Sequence, residues 1–326
     1  MIITRTPLRI SLGGGGTDLP SYYENHSGFV VAAAITKYLF IGINSTFTAD
    51  YLIKYSITER AAAIGDVEHP IVRAALHMLD VPPAIEIVSL ADIPAGTGLG
   101  SSGSFTVGLL RALHARRREH VTAAGLAEEA CNVEINYLDR AVGKQDQYIA
   151  SYGGLTCFDF NQDGTVHVSP LLISNATLHD LEDNLVMYFT GYSREADRML
   201  FDQKQRSEAG DPGMLENLHE IKRIGLDVRE ALESGKTERF GELMHEHWEL
   251  KRQRSEAMSN NSIDDWYAVA RKHGALGGKL VGAGGGGFLL FLAEDPAALR
   301  QGMMGTGLTE VRFNFDHDGS IVLLRE

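Results

Sequence analysis

The sequence predicts an α+β protein in two lobes, and three features of the chain lead to that plan. The first 47 residues are dominated by alternating or β-branched apolar positions. From about residue 190 to 273 the texture changes to long amphipathic helical periodicity. Strand signals then return between 277 and 324 around a single helix. The change of texture falls near 180–185, which gives expected units of 1–184 and 185–326. A chain of 326 residues has ample length for one large or two modest cores.

Taken in order, residues 1–12 alternate apolar and polar side chains and predict a strand running into a glycine loop. Residues 28–47 (GFVVAAAITKYLFIGINSTF) predict strands or a hairpin. His69 to Leu79 predicts a helix with Pro70 near its start. Ala84 to Leu90 is β-rich, and a helix follows from near Ser101, with helical spacing clear from Phe105 to His114. Thr122 to Val142 predicts one helical stretch capped by Thr122. Residues 153–168 return to strand around an Asn161-Gln162-Asp163-Gly164 turn. Leu185 to Thr190 predicts a strand, and amphipathic helices follow. Strands are expected at 277–282, 287–293, 308–314 and 320–324, with a helix starting near Asp295-Pro296.

Composition narrows the function classes. Apolar content of 44% and charged content of 22% are those of an ordinary globular protein. The formal charge of −13 argues against nucleic acid or an anionic membrane as partner, since both require basic patches. Arginines at 5 and 9 and glycines from 13 leave no apolar leader segment, and the run at 29–36 is far short of a membrane span. A cytoplasmic protein is expected. Cys131 and Cys157 have no metal-ligand spacing and read as buried reduced thiols. Met199, Met214, Met244 and Met258 read as core or groove fillers. His245-Glu246-His247-Trp248 lacks the zinc-protease spacing, and its histidines point about 200° apart on a helix, so a solvated helix is expected there.

The stretch from Pro94 to Ser104 (PAGTGLGSSGS) carries most of the chemistry. Glycines at 96, 98, 100 and 103 remove Cβ atoms that would hold a phosphate away from the backbone. The helix beginning near Ser101 offers unpaired N–H groups and the positive end of its dipole, and Ser101, Ser102 and Ser104 add hydroxyls. No lysine follows the cradle, so it is not a Walker A loop. A GxGxxG pattern fits at Gly98-Gly100-Gly103 and at Gly282-Gly284-Gly287, but both lie far from the N-terminus, where a dinucleotide fold would place it. Two further glycine clusters stand at Pro7–Pro20 (PLRISLGGGGTDLP) and Lys279–Phe288 (KLVGAGGGGF).

With these three segments in this order, the chain resembles the GHMP kinases, the family of galactokinase, homoserine kinase, mevalonate kinase and phosphomevalonate kinase. The resemblance implies ATP and Mg2+ as cofactors. It also implies an N-terminal lobe with a left-handed βαβ crossover, a ferredoxin-like C-terminal lobe, and ligands in the cleft between them. Gly96, Gly98, Leu99, Gly100, Ser101, Ser102, Gly103 and Ser104 would hold ATP. Glu134, with Ser102 as hydroxyl partner, would hold the metal, while Glu128 and Glu129 are expected to be solvated. Asp146, in Gly143-Lys-Gln-Asp-Gln-Tyr148, would face the substrate hydroxyl, and Arg9 would stand beside it to counter charge on the migrating phosphoryl group.

Gly14, Gly15, Gly16, Thr17 and Asp18 would meet the substrate, as would Gly284 and Gly285 near the transferring phosphate. Galactokinases and mevalonate kinases usually read Gly-Glu-His where this chain has Gly14-Gly15-Gly16. The run GGGGTDLPSYY from Gly13 looks instead like the subgroup acting on D-glycero-D-manno-heptose 7-phosphate, and like related fucose and arabinose kinase domains. The expected activity is therefore phosphorylation of the anomeric hydroxyl of that heptose 7-phosphate, with a free sugar such as L-fucose, L-arabinose or galactose as the alternative. Arg194, Arg198 and Lys204 are candidates for a second anion pocket, with Arg140 and Lys144 as rivals. The expected partners are a small sugar phosphate and, as an open option, a second copy in a homodimer. Two other classes compete: a catalytically silent sugar sensor, against which Arg9, Ser102, Glu134 and Asp146 all speak, and a NAD-dependent dehydrogenase.

Overall fold

The computed structural model describes residues 1–191, 196–254 and 258–326. The chain opens on β1 (Ile2–Gly13), α1 (Pro20–His26) and β2 (Gly28–Ser45). The short β3 (Tyr51–Lys54) and β4 (Thr58–Ala61) lead to α2 (Pro70–Met78) and β5 (Ile85–Ala91). Three helices follow, α3 (Ser101–Arg117), α4 (Ala123–Cys131) and α5 (Gln145–Tyr152). Then come β6 (Leu155–Phe160), β7 (Val166–Pro170) and α6 (Asn175–Asn184). From β8 (Leu185–Gly191) the chain enters four helices, α7 (Ala196–Glu208), α8 (Pro212–Glu233), α9 (Thr237–Arg252) and α10 (Asn261–Lys272). It ends with β9 (Ala275–Val281), β10 (Gly287–Ala293), α11 (Pro296–Met303), β11 (Thr309–Glu310) and β12 (Ile321–Arg325).

Local chemistry accounts for most of the helix starts. Pro sits in the first turn of α1, α2, α8 and α11, where its missing N–H costs nothing. Thr122, Ser174, Asp211, Asn260 and Asp295 each accept a backbone N–H at the start of the helix that follows. The strands form two sheets. One has eight strands in the order β12-β1-β2-β5-β3-β4, with β6 on β2 and β7 on β6; the other is antiparallel, β11-β8-β10-β9. This is the expected α+β architecture.

Three expectations change. Of residues 28–47, expected as strands or a hairpin, Gly28–Ser45 form one long strand, because β2 has different neighbours at its two ends: β6 along Gly28–Ala33 and β5 along Leu39–Ser45. The helix expected over 122–142 stops at Cys131, continues as a wider π-helical turn over Asn132–Tyr137, and leaves helix at Asp139, whose φ is 46°. The expected unit 185–326 loses its last strand to the first sheet. β12 pairs antiparallel with β1, Ile2 opposite Arg325, and so covers an edge that β1 would otherwise expose. In addition, the strand expected at 308–314 shrinks to Thr309–Glu310.

One core joins the sheets. Leu8, Ile10 and Leu12 of β1 pack with Ile224 and Val228 of α8, Leu243 of α9 and Leu290 of β10. A second core lies under α2 and α3, where Leu76, Leu109, Leu110 and Leu113 meet Ile41, Ile53 and Ile87. Met199, Met214, Met244 and Met258 are buried, as are the free thiols of Cys131 and Cys157. Among the described residues, no helix is long and apolar enough to cross a membrane.

Helix α9 lies against β9 at a pair of glycines. A Cβ on Gly277 would collide with the Gly241 carbonyl oxygen, and a Cβ on Gly241 would stand 2.8 Å from the Leu276 Cβ. Gly277→Ala is therefore expected to lower unfolding stability by about 3 kcal/mol, since the helix must lift from the sheet. Denaturant titration checks it, and an unchanged midpoint would refute the contact.

Candidate active site

The cradle between β5 and α3 owes its shape to two glycines in left-handed backbone, Gly98 at φ 86° and Gly100 at φ 76°. Gly100 turns the chain into α3, so that Ser101 begins the first turn and presents its free N–H groups. Leu99 anchors the loop from below: its side chain is fully buried in the shared core and its carbonyl accepts the Arg9 N–H at 3.1 Å. Expected as an ATP contact, Leu99 therefore turns its side chain away. Ser104 is likewise spent on structure, its hydroxyl donating to the Pro7 carbonyl at 2.7 Å. Ser101 is different, because its buried hydroxyl has no partner among the described residues. An orphaned hydroxyl beside free helix N–H groups is what a phosphate would satisfy.

Glu134 sits in the π-helical turn, wholly buried, directly against this helix start. Its Oε1 accepts from Thr106 Oγ1 at 3.0 Å and from Gln147 Nε2 at 2.9 Å. Its Oε2 accepts from the Ser102 hydroxyl and from Arg140 at 2.8 Å. The Arg140 guanidinium also donates to Ser102 Oγ at 2.6 Å. A buried carboxylate needs such partners to remain charged away from water. Ser102 and Glu134 carry hard oxygen donors of the kind Mg2+ takes, and the Arg140 guanidinium bridges the same two side chains here. Among the described residues no group of three or more His, Cys, Asp and Glu could hold a metal by itself.

Asp146, in the first turn of α5, meets Arg9 from the middle of β1. Arg9 Nε donates to Oδ1 at 2.7 Å and Nη2 to Oδ2 at 3.0 Å, a two-pronged pair, while Nη1 donates to the Gly98 carbonyl at 2.6 Å. One guanidinium thus ties the acid to the cradle. The elements approach this closely because Gly103 has no side chain; a Cβ there would stand 2.8 Å from Asp146 Cβ.

The first glycine run divides into two roles. Thr17 is fully buried, accepts the Phe29 N–H at 3.1 Å, and lies within reach of the Gly14 and Phe29 carbonyls. It staples the loop, as does Gly14, whose Cβ would strike the Phe29 carbonyl. Gly15, Gly16 and Asp18 line a cavity of about 100 Å³ together with Arg9 and Asp146. Asp18 is buried and accepts N–H bonds from Gly16 at 3.0 Å and Gln145 at 3.1 Å. Burial raises its pKa, and the Gln145 N–H works against that rise.

The far wall of this cavity holds Lys251, Arg254 and Lys279, which sequence reasoning missed. The Lys251 ammonium donates to the carbonyls of Leu280 and Gly282, and burial pushes its pKa down to about 7. Arg254 is brought down to about 10, also by burial. Lys279 donates to the Leu12 carbonyl at 3.1 Å and lies 3.2 Å from His247 Nδ1; burial holds both groups well below their ordinary values. Lys251 lies in the last turn of α9, Arg254 two residues past its end, and Lys279 on β9. The available signal was spacing for one pair, since His247 and Lys251 are four apart on a helix and share a face. The expectation of a solvated helix at His245–Trp248 is corrected, since His247 and Trp248 are buried.

Other expectations move as well. Lys144 is bound to Glu128 at 3.0 Å and to the Gly164 carbonyl at 2.8 Å, and Arg140 serves Glu134, so neither stands ready for a distant phosphate. Lys204 reaches Asp139 at 3.5 Å and Arg198 is exposed. Arg194 lies outside the described residues. Glu128 and Glu129, expected to be solvated, bind Lys144 with Tyr148, and His114, respectively. Gly285 donates its N–H to the Met258 carbonyl, and a Cβ on Gly284 would meet the sulfurs of Met258 and Met199; neither glycine lines the cavity.

Comparison with known proteins places the chain in a family. The family model for the GHMP kinases N terminal domain matches residues 69–154, and that for GHMP kinases C terminal matches 228–302. The chain is similar to the D-glycero-alpha-D-manno-heptose 7-phosphate kinase of Campylobacter jejuni, 31% identical over 306 residues, covering 90% of this chain and 89% of that protein. It is also similar to the bifunctional fucokinase/GDP-fucose pyrophosphorylase of Arabidopsis thaliana, 26% identical, covering 89% of this chain but 29% of that protein. Among solved structures, a D-glycero-D-manno-heptose 1-phosphate kinase from Bacteroides thetaiotaomicron superposes with a TM-score of 0.80, 24% identity and full coverage of both chains.

Proposed function

The chain belongs to the GHMP kinases and is an ATP-dependent kinase acting on a sugar hydroxyl, and from that premise we propose that its acceptor is the anomeric hydroxyl of D-glycero-D-manno-heptose 7-phosphate. The likeness to the Campylobacter jejuni heptose 7-phosphate kinase supports the choice of acceptor, and the observation that carries the phosphoryl-transfer chemistry is the position of Arg9. It grips Asp146 with two hydrogen bonds and the cradle carbonyl of Gly98 with a third, so one residue links the phosphate donor to the acid facing the acceptor.

In the proposed reaction the cradle backbone and the start of α3 hold the ATP phosphates. Ser102 and Glu134 are the residues that would hold Mg2+, whose charge offsets that of the terminal phosphates. Asp18 and the Gly15–Gly16 backbone orient sugar hydroxyls in the cavity, a carboxylate being suited to accept two hydrogen bonds from neighbouring hydroxyls. The anomeric oxygen attacks the γ-phosphorus, the bond to the bridging oxygen breaks, and ADP leaves. Asp146 takes the proton released from the hydroxyl, and Arg9 offsets charge on the transferring group.

Coupled measurement of ADP release over a panel of sugars and sugar phosphates tests this. Turnover is expected with the heptose 7-phosphate, with phosphorus NMR placing the new phosphate on C1. Turnover with free L-fucose, L-arabinose or galactose alone would move the assignment to a free-sugar kinase.

A further inference from the structure

We propose that Arg254, assisted by Lys251, is the seat of the phosphate that the sugar already carries, a deepening that rests on the sugar-phosphate reading above. The cavity is lined by four cationic side chains, Arg9, Lys251, Arg254 and Lys279, and by two carboxylates, Asp18 and Asp146. Asp146 is taken by Arg9. Asp18 is held by backbone N–H groups of Gly16 and Gln145. Among the described residues, the cations of the far wall therefore exceed the carboxylates that line the cavity with them.

Arg254 shows the imbalance most clearly. It is 6% exposed, its Nε donates to Asn217 Oδ1 at 2.7 Å and its Nη1 to Gln203 Oε1 at 3.2 Å, both uncharged amides. Its Nη2 is buried and has no partner among the described residues. A guanidinium in that setting leaves a donor unmet, at a cost the fold carries unless an anion arrives. The Lys251 partners, two backbone carbonyls, are uncharged as well. Burial has lowered the pKa of both groups; the charge of Asp18 opposes that shift at Arg254, and no carboxylate opposes it at Lys251.

The same geometry separates this position from the ATP phosphates. None of the cradle residues 96–104 lines the cavity, whereas Gly16 does, and a Cβ there would stand 2.8 Å from Arg254 Nη1. The glycine run thus lets the sugar loop lie directly against the guanidinium. Asp18 would read hydroxyls on one wall while the planar fork of Arg254 takes a phosphate on the other. The ligand class is a sugar bearing a phosphate remote from its reacting hydroxyl.

Two measurements test the site. With ADP and Mg2+ saturating, so that the cradle is filled, inorganic phosphate is expected to raise the melting temperature of the wild type and not that of R254Q. R254K should keep part of the rise, and the shift produced by ATP reports whether each variant is folded. In kinetics, the preference for heptose 7-phosphate over the unphosphorylated heptose, taken as a ratio of kcat/KM, should fall at least tenfold in R254Q, with the loss in sugar KM. If R254Q does not fold, K251Q carries the test, with a several-fold loss expected. An equal phosphate response in wild type and variant, or an unchanged preference, overturns the proposal. Turnover on free sugars alone would remove the substrate reading, whereas a phosphate response abolished by R254Q would leave the anion site standing.

Discussion

Asp146→Asn lowers kcat by about a thousandfold, roughly 4 kcal/mol of transition-state stabilisation, while ATP binding is retained. The substitution keeps the shape of the side chain and removes both its charge and its capacity to take a proton. It also breaks the match with Arg9, because the amide nitrogen then faces one of the two donors that now meet Oδ1 and Oδ2 at 2.7 and 3.0 Å. Arg9 keeps its hydrogen bond to the Gly98 carbonyl, so the cradle stays in place. Steady-state kinetics at saturating sugar and a separate ATP titration check the two halves of this expectation. Full turnover in the variant would show that another group receives the proton.

Gly282→Val weakens ATP binding by about a hundredfold, close to 3 kcal/mol. Gly282 follows β9 with φ 85°, a conformation that valine resists. A Cβ there would lie 2.5 Å from Gly98 Cα and 2.6 Å from the Gly98 oxygen, and a Cβ on Gly98 would in turn stand 2.7 Å from the Val281 oxygen. The C-terminal glycine run therefore buttresses the cradle from behind. The cradle, being a loop, yields before the packed sheet does, so the strain appears as lost nucleotide affinity more than as lost stability. Calorimetric titration with ATP, alongside a denaturation curve, separates those outcomes; no change in either would exclude the buttress.

Much of the site was legible because its chemistry is local. The cradle, the first turn of its helix and the Ser101–Ser104 hydroxyls lie within eleven consecutive residues, and hydrogen-bonding capacity of that kind is written in residue type and order. The pairing of Arg9 with Asp146 spans 137 positions and was reached through the motif order of a known family, not through any local pattern. Thr17 and Leu99 show the limit of motif reading. Both lie inside a motif, yet one staples its loop to Phe29 and the other anchors the cradle in the core, roles fixed by which way each side chain points.

By itself, then, the chain determined where glycine opens the backbone to close approach and where most of the helices and strands lie. Only the tertiary structure decided that β12 returns to β1, that Glu134 sits in a widened helical turn, and that Lys251, Arg254 and Lys279 converge on the cavity lined by Asp18 and Asp146. The reason is physical. Backbone conformation follows from neighbours along the chain, whereas the burial of a charge depends on which distant segments exclude water from it, and no run of adjacent residues encodes that.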